Sequence, residues 1–361
     1  MPMRIQEPDT PGAAGRPRAQ KRNAVSSATI KGPDHTLALE LVRVTEAAAL
    51  AADRWVGRGA GNSGKAAAID AMHKLLRSVP MRGVVVIGDR PQGDTPVLFK
   101  GEDVGDGHGP ACDIGISTGE RTRATARDVP HALAAIAVAE RGALFDPAPV
   151  HSMEKLAVGP DCADVVDISR PVVENLRAVA TAKGVRVSDV IVAVLNRPRH
   201  LKLVREIRDA GARVHLLEGA DDIAGAIAAA HADSTVDMLL GTGGAAQGVI
   251  AAAALTCMGG SLQARLWPND VEQDEKPETG HDFARVLHTG DLVRGESVLF
   301  CATGVTGSEL LRGVQHHSGR TTTQSIVLCS NPHTVRMVTS EHRHARWREH
   351  LVIDSGRAEN D

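Results

Sequence analysis

Residues suited to phosphate binding follow two apolar runs in the second half of the chain. Arg197 and Arg199 come directly after the run 190–195, and a guanidinium can grip a phosphate through two parallel N–H donors. Gly243 and Gly244 could bring backbone N–H groups toward a phosphate where a helix starts. Taken alone, two such arginines are more often solvated surface groups, so the residues by themselves leave both interpretations open.

A second polar cluster follows a run shaped like a strand, 113–117. Glu120, Arg121 and Thr122 come just after it, and they bring together a carboxylate, a cation and a hydroxyl. A lone Glu120 would usually be a surface acid. Asp113 lies within the run and is equally consistent with a site role and with holding a turn.

Hydrophobic periodicity predicts the elements that must position these residues. Apolar residues at helical spacing predict helices over 37–56, with Thr36 as N-cap, and over 66–79. The β-branched run 83–88, bounded by glycine, predicts a buried strand, and Asp89 begins the loop after it.

From about residue 171 the pattern alternates regularly. It predicts helices over 172–182, 200–210 and 222–230 and strands over 190–195, 213–217 and 236–240. Such alternation indicates βαβ units and a parallel sheet, and ligands of these sheets lie beyond the carboxyl ends of the strands. Residues 196–200 and 241–248 are therefore expected at a binding edge.

Two further stretches complete the prediction. Residues 267–278 are polar with two prolines, which indicates a surface loop between lobes. The pattern near the end of the chain predicts strands over 297–301 and 322–328 that flank a helix near 308–314.

Several short blocks occur in an order that matches a known family. They are Arg43-Val-Thr-Glu-Ala-Ala-Ala-Leu50, Gly57-Arg-Gly59, Met153-Glu-Lys-Leu-Ala-Val-Gly159, Pro198-Arg-His200, Gly243-Gly-Ala245 and Ala302-Thr-Gly304. From about Leu37 to about Val338 the chain resembles the class II fructose-1,6-bisphosphatases.

The resemblance implies a fold and a chemistry. The fold is an α/β protein with a layered α/β/α/β/α sandwich, of the metal-dependent, lithium-sensitive sugar phosphatase type, with the site in a cleft between two lobes. We expect a disordered extension over 1–35, a first lobe formed by 36–170 with 320–350, and a second lobe over 171–319. The family hydrolyses phosphate monoesters with divalent metals, here Mg²⁺ or Mn²⁺, because a metal-bound water is a stronger nucleophile.

Most of the carboxylates that the resemblance implies for the metals are replaced. The family has an acid after Gly-Arg-Gly, where this chain has Ala60, and Asp-Pro-Ile-Glu-Gly-Thr begins here with Ser117. The acid of Gly-Gly-Ala-Pro-Glu-Gly is the neutral Gln247. Where the family has Gly-Glu-Gly-Glu, this chain keeps a shorter acid, Asp89, and then has Pro91, which has no side-chain oxygen.

Glu120 is the one acid of the central motif that is kept. Any metal site would therefore depend on Asp89 and Glu120, and it would be weak or absent. With Thr122 they are the candidate catalytic residues, since the hydroxyl would orient the attacking water. Arg121 replaces a glycine of the family and could occupy the volume and charge of a metal. Loss of a residue that coordinates the metal is costly, because even the loss of a residue that only hydrogen-bonds to such a ligand weakens metal binding about 10–100-fold.

The groups that hold the substrate are better preserved. By resemblance, Arg197 and Arg199 stand where the family binds a sugar phosphate, and Lys155 persists in Met-Glu-Lys-Leu. Ser152 stands where the family has a tyrosine. The candidate substrate-binding groups are therefore Arg197, Arg199 and Lys155, with Arg121 and the glycines 243 and 244.

Composition limits the functions that remain. The chain has 361 residues with a net charge of −3, which gives no field for a nucleic-acid backbone. No apolar run is long enough for a membrane span or a signal peptide, so we expect a cytoplasmic protein.

The five cysteines show no metal-ligand spacing and are expected to be free thiols. Aromatic content is 2%, with no tyrosine, so aliphatic residues must fill the core.

Three functions stay open at this point. The chain could act on a sugar phosphate, with weak hydrolysis or a repurposed reaction, or it could be a catalytically inactive sugar-phosphate-binding or regulatory paralogue. A purely structural oligomer subunit is disfavoured, because it gives no reason for the retained cations. We expect a homo-oligomer, and the small-molecule partner would be a sugar phosphate.

Overall fold

The computed structural model describes residues 32–59, 63–88, 97–118, 132–219, 222–267 and 281–343. The helices are α1 (Ala38–Asp53), α2 (Ser63–Leu76), α3 (Val172–Lys183), α4 (Leu201–Asp209), α5 (Ile223–Ala230), α6 (Ala245–Met258) and the single turn α7 (Thr289–Leu292). The strands are β1 (Arg82–Ile87), β2 (Asp103–Val104), β3 (Ala111–Ser117), β4 (Leu133–Glu140), β5 (Ser152–Val158), β6 (Ile191–Leu195), β7 (Arg213–Leu217), β8 (Met238–Gly244), β9 (Ser261–Trp267), β10 (Leu287–His288), β11 (Val298–Gly304), β12 (Gln315–His317), β13 (Arg320–Ser330) and β14 (His333–Arg343).

These strands form two sheets. The first has the order β12-β13-β11-β4-β3-β1-β2, with β14 paired to β13, and the second has the order β10-β9-β5-β8-β6-β7. The chain passes from the first sheet to the second between β4 and β5, and returns between β10 and β11. The predicted lobe boundaries at 171 and 319 stay a prediction about domains, which sheet membership alone does not define.

Helices cover both faces of each sheet, which gives five layers. α1 packs on the outer face of the first sheet, against β4, β11 and β13, and α2 packs on α1. α3 and α4 cover the outer face of the second sheet. α6 contacts strands of both sheets, and α5 lies beside it against β5, β6 and β8. The predicted α/β/α/β/α sandwich is confirmed.

Strand β4 shows how a chain with so few aromatic residues fills its core. Ala135, Ala137 and Ala139 face the middle helices, while Ile136 and Val138 face α1 on the other side. Small side chains on the inner face let the alanine-rich α6 approach the sheet closely, and packing near crystal density then needs no large rings.

The predicted parallel sheet is confirmed for only part of the second sheet. β6 pairs in parallel with β7 and with β8, whereas β5 and β9 join it antiparallel. The strands β5, β9 and β14 were not predicted, because their sequences lack the helix-strand alternation that marks βαβ units.

Two local predictions are wrong. Residues 308–314 form a loop, in which the Ser308 hydroxyl accepts hydrogen bonds from the backbone N–H groups of Leu310 and Leu311; serine competes with helix geometry in this way. The predicted N-cap Thr36 lies inside a short 3₁₀ turn, and Asp34 caps that turn by accepting from the Thr36 backbone N–H at 2.8 Å.

Among the described residues no helix is long and apolar enough to cross a membrane. All five cysteines are buried free thiols, as expected. Residues 1–31 of the predicted extension lie outside the described residues.

Candidate sugar-phosphate site

The second sheet opens at the carboxyl ends of β6 and β8. The ladder between these strands consists of Val192–Met238 and Ala193–Leu239, and both strands continue beyond it. α4, which links β6 to β7, packs on the outer face, and α6, which links β8 to β9, packs on the inner face. The connections from β6 and from β8 therefore run in opposite directions along the sheet, which makes the gap between them a topological switch point, the usual ligand position in such sheets.

The side chains of two consecutive residues, Arg199 and His200, bridge the gap beyond the last backbone pair of β6 and β8. The imidazole Nδ1 of His200 lies 2.8 Å from the carbonyl oxygen of Leu195, at the end of β6. Its Nε2 accepts a hydrogen bond of 2.9 Å from the backbone N–H of Thr242 in β8. Arg199 donates to the carbonyl oxygen of the same residue, with Nε at 3.2 Å and Nη2 at 2.7 Å. Side chains thus replace the missing backbone pairing.

The partners of His200 fix its protonation. Leu195 offers only an acceptor and Thr242 only a donor, so Nδ1 carries the hydrogen and the ring is neutral. Burial lowers the pKa of His200, and the nearby Arg199 and Arg197 lower it further. His200 occupies the N-cap position of α4, but its side chain makes no capping hydrogen bond.

Gly241 is required by this arrangement. Its φ is +133°, and a Cβ there would lie 3.1 Å from the His200 ring. The ring and the glycine backbone are therefore in close contact.

Arg197 is held on the other side of β6. It donates to the carbonyl oxygens of Asn196 and Gly219, both at 2.7 Å, while the Asn196 amide donates to Glu218 at 2.9 Å. Both arginines predicted to bind substrate thus lie at the carboxyl end of β6 with guanidinium groups oriented by backbone carbonyls. Their role in binding stays a prediction.

Lys155 lies beneath the turn that contains Gly243 and Gly244, the glycine turn. It is 1% exposed on the inner face of β5, and its Nζ is 2.5 Å from Oδ2 of Asp222, which is 4% exposed. Within the described residues, Oδ1 of that carboxylate has no hydrogen-bond partner. Buried charges require such pairing, so the pair gives Lys155 a structural partner that the sequence did not suggest.

Two glycines at the end of β8 lie close to neighbouring polar side chains. A Cβ at Gly243 would lie 2.1 Å from Oδ2 of Asp222, and one at Gly244 would lie 1.8 Å from Oε1 of Gln247. α6 begins just after this turn, and its first backbone N–H, at Ala245, donates to the carbonyl oxygen of His151 at 2.9 Å. Whether the remaining N–H groups meet a phosphate stays a prediction.

The first sheet meets this region through α6. A Cβ at Gly115 of β3 would lie 3.2 Å from Ile250, one turn beyond Gln247, and β3 ends at the buried Ser117. Asp113, left open by the sequence, accepts a hydrogen bond from the Leu144 backbone N–H at 3.1 Å and so holds a turn.

A cross-strand row closes the amino end of β5. Trp267 of β9, Ser152 of β5 and Gly244 of β8 stand opposite one another in the register. Trp267 is 48% exposed.

The remaining site residues predicted from the sequence, Ala60, Asp89, Pro91 and 120–122, lie outside the described residues. Among those described, no group of three or more His, Cys, Asp or Glu could hold a metal ion. Ser117 and Gln247 bring a hydroxyl and an amide, and hard divalent cations favour carboxylates. The described part of the site does not fit a carboxylate-held metal pair.

Comparison with known families decides the relationship. The family described as bacterial fructose-1,6-bisphosphatase, glpX-encoded, matches residues 35–342. The chain belongs to this family. It is 37% identical over 320 residues to fructose-1,6-bisphosphatase 1 class 2 of Escherichia coli, covering 85% of this chain and 95% of the relative. The class 2 fructose-1,6-bisphosphatase of Shigella flexneri matches to the same extent. The resemblance found in the motifs is confirmed, and the glpX-type bisphosphatases supply the expectation of a phosphate-ester substrate.

Proposed function

We propose that this protein binds a sugar bisphosphate at the gap between β6 and β8 and hydrolyses it far more slowly than a metal-replete member of its family. The observation that carries the proposal is the pair of guanidinium groups at a topological switch point, where Arg197 and Arg199 are each oriented by backbone carbonyls. Oriented guanidinium groups recognise phosphate oxygens with little further loss of side-chain entropy.

Slow hydrolysis follows from the neutral groups at two metal positions. Ser117 and Gln247 are both buried, and neither carries the negative charge that divalent metals need. Asp89, Glu120 and Thr122 remain the candidate catalytic residues, and Arg121 a candidate cation beside them. Any Mg²⁺ or Mn²⁺ would be weakly held.

A catalytically inactive sugar-phosphate-binding or regulatory role is the second candidate. This role is favoured because the neutral Ser117 and Gln247 replace metal ligands, whereas the proposed phosphate-binding residues Arg197 and Arg199 are retained. A cytoplasmic location and a homo-oligomeric assembly belong to both versions of the proposal.

The test of binding is thermal denaturation with fructose 1,6-bisphosphate. A ligand at one hundred times its Kd stabilises the folded state by about 2.7 kcal/mol, so the melting temperature should rise, and Arg199→Ala should abolish the rise. Arg205→Ala, an exposed arginine on α4, is the matched control and should keep it. Fructose without phosphates should have no effect. An unchanged rise in Arg199→Ala would mean that Arg199 is a surface residue.

The test of catalysis is phosphate release from the same ligand with Mg²⁺ or Mn²⁺. We expect turnover well below the usual enzyme range of about 1–10³ per second, and calorimetry should find no pair of tightly bound metals. Turnover within that range would refute the slow-hydrolysis part and leave the binding part standing.

A further inference from the structure

At the site, the side chain of His200 replaces backbone hydrogen bonds between β6 and β8. β6 and β8 stop pairing after Ala193 and Leu239, and the imidazole spans the opening from the Leu195 carbonyl to the Thr242 N–H. The ring is 4% exposed. No other side chain among the described residues is seen to join these two backbone groups.

Two side chains form hydrogen bonds with the same residue of β8, Thr242. His200 holds the Thr242 N–H while Arg199 holds its carbonyl oxygen. Because the two side chains are neighbours in sequence and share one target residue, the position of the guanidinium depends on whether the ring keeps β8 in place.

The contact works in one protonation state only. A second proton on the ring would stand at Nε2 and face the Thr242 N–H, so two donors would oppose each other. The charged groups around the ring are Arg199 and Arg197 on its own segment and Asp222 at the start of α5; the last is paired with Lys155 of β5. Two cations and a neutralised carboxylate leave little to stabilise an imidazolium.

We propose that His200 is a positioning residue of the sugar-phosphate site: the neutral ring clamps β8 to β6 and thereby fixes the Arg199 guanidinium for phosphate binding, and protonation of the ring releases the clamp. This inference rests on the proposed function for its consequence in binding, but the clamp itself is a separate structural claim. It assigns His200 no contact with the substrate.

The binding test compares Kd for fructose 1,6-bisphosphate between pH 7.5 and 5.5 in the wild type and in two variants. His200→Asn offers a donor and an acceptor that do not titrate, and His200→Leu removes both. We expect His200→Leu to bind about 2- to 10-fold more weakly at pH 7.5, because the lost contact with the Thr242 N–H, which holds β8 in place, is worth about one hydrogen bond. His200→Asn should recover part of that loss.

The pH dependence separates the clamp from titration of the ligand. The phosphates of the ligand also take up protons in this range, and they do so equally with every variant. The wild type should therefore lose more affinity on acidification than His200→Asn, by a further factor of about 2 to 10. Parallel pH profiles would overturn the proposal while leaving the proposed function intact.

A spectroscopic measurement tests the clamp without any ligand. Nitrogen and carbon chemical shifts of the imidazole, assigned by difference from His200→Asn, should show hydrogen on Nδ1 at neutral pH. Hydrogen on Nε2 would overturn the proposal even if binding is normal. If the wild type binds no bisphosphate, the proposed function fails first, and this measurement still decides whether the clamp exists.

Discussion

Lys155 and Asp222 are 67 residues apart in the chain and meet in the interior, with 2.5 Å between Nζ and Oδ2. The pair joins β5 to the start of α5 directly beneath Gly243. It therefore supports the turn that leads from β8 into α6.

Removing one member of this pair should be costly. Lys155→Met leaves the Asp222 carboxylate buried without a partner, and we expect the free energy of unfolding in urea to fall by about 3–5 kcal/mol. Lys155→Met combined with Asp222→Asn should recover most of the loss, because no uncompensated charge remains. Equal instability of the single and double variants would show that the amine acts through packing instead.

The glycine above the pair should not tolerate a methyl group. Gly243→Ala would place a Cβ 2.1 Å from Oδ2 of Asp222 and 3.1 Å from Nζ of Lys155, and we expect a loss of about 1–3 kcal/mol in stability from overpacking. Gly290→Ala is the control, since nothing lies within 4 Å of its added Cβ, and it should change stability by less than about 0.5 kcal/mol. Similar effects of the two substitutions would contradict the tight fit.

Acid should destabilise the fold through two buried histidines. Burial lowers the pKa of His200 and of His342 from the usual 6.5, and His342 lies 2.8 Å from the Thr323 hydroxyl. The unfolded chain then binds more protons than the folded one below pH 6.5, so stability is full above that pH and is lost as pH falls through each lowered pKa. Each histidine contributes up to about 1.4 kcal/mol per pH unit in that interval.

The measurement is urea denaturation between pH 7.5 and 5.5, with His200→Asn as the reference. The variant should lose less stability on acidification than the wild type. The loss that persists in the variant should include the contribution of His342. A wild-type slope no steeper than that of His200→Asn would mean that His200 keeps an ordinary pKa.

Restoring the missing acids should not by itself restore hydrolysis. We expect Ala60→Asp, Ser117→Asp and Gln247→Glu together to leave phosphate release with Mn²⁺ low, because the proposal makes Arg121 a cation that would oppose metal entry, and Pro91 has no side-chain oxygen. Adding Arg121→Gly and Pro91→Glu should raise the rate. Full activity in the triple variant alone would show that simple loss of ligands explains the slow reaction.

Periodicity predicted the regular elements well where each formed its own apolar face. The strand at 213–217 has the predicted bounds, and the helices at 172–183 and 223–230 differ from prediction by one residue. The error at 308–314 arose because Ser308 uses its hydroxyl to close a loop, which no hydrophobic pattern reveals.

The candidate site was predicted in outline and missed in its connections. Arg197 and Arg199 lie at the carboxyl end of a strand, as the alternation predicted, but no residue pattern indicated that Arg199 and His200 would both contact Thr242. The pairing of Lys155 with Asp222 was missed for the same reason: contacts between distant segments depend on strand order, and the antiparallel insertion of β5 beside β8 was not predicted. An aspartate at the start of a helix after a parallel strand was the only available signal.

The row formed by Trp267, Ser152 and Gly244 also determines how the molecule can be observed. The chain has no tyrosine and three tryptophans, so its ultraviolet emission comes from very few sites, and Trp267 is half exposed at the end of β9. A variant with Trp55→Phe and Trp347→Phe would carry a single fluorophore on the sheet end that also bears the glycine turn. Its emission would report on that end alone, without an attached dye.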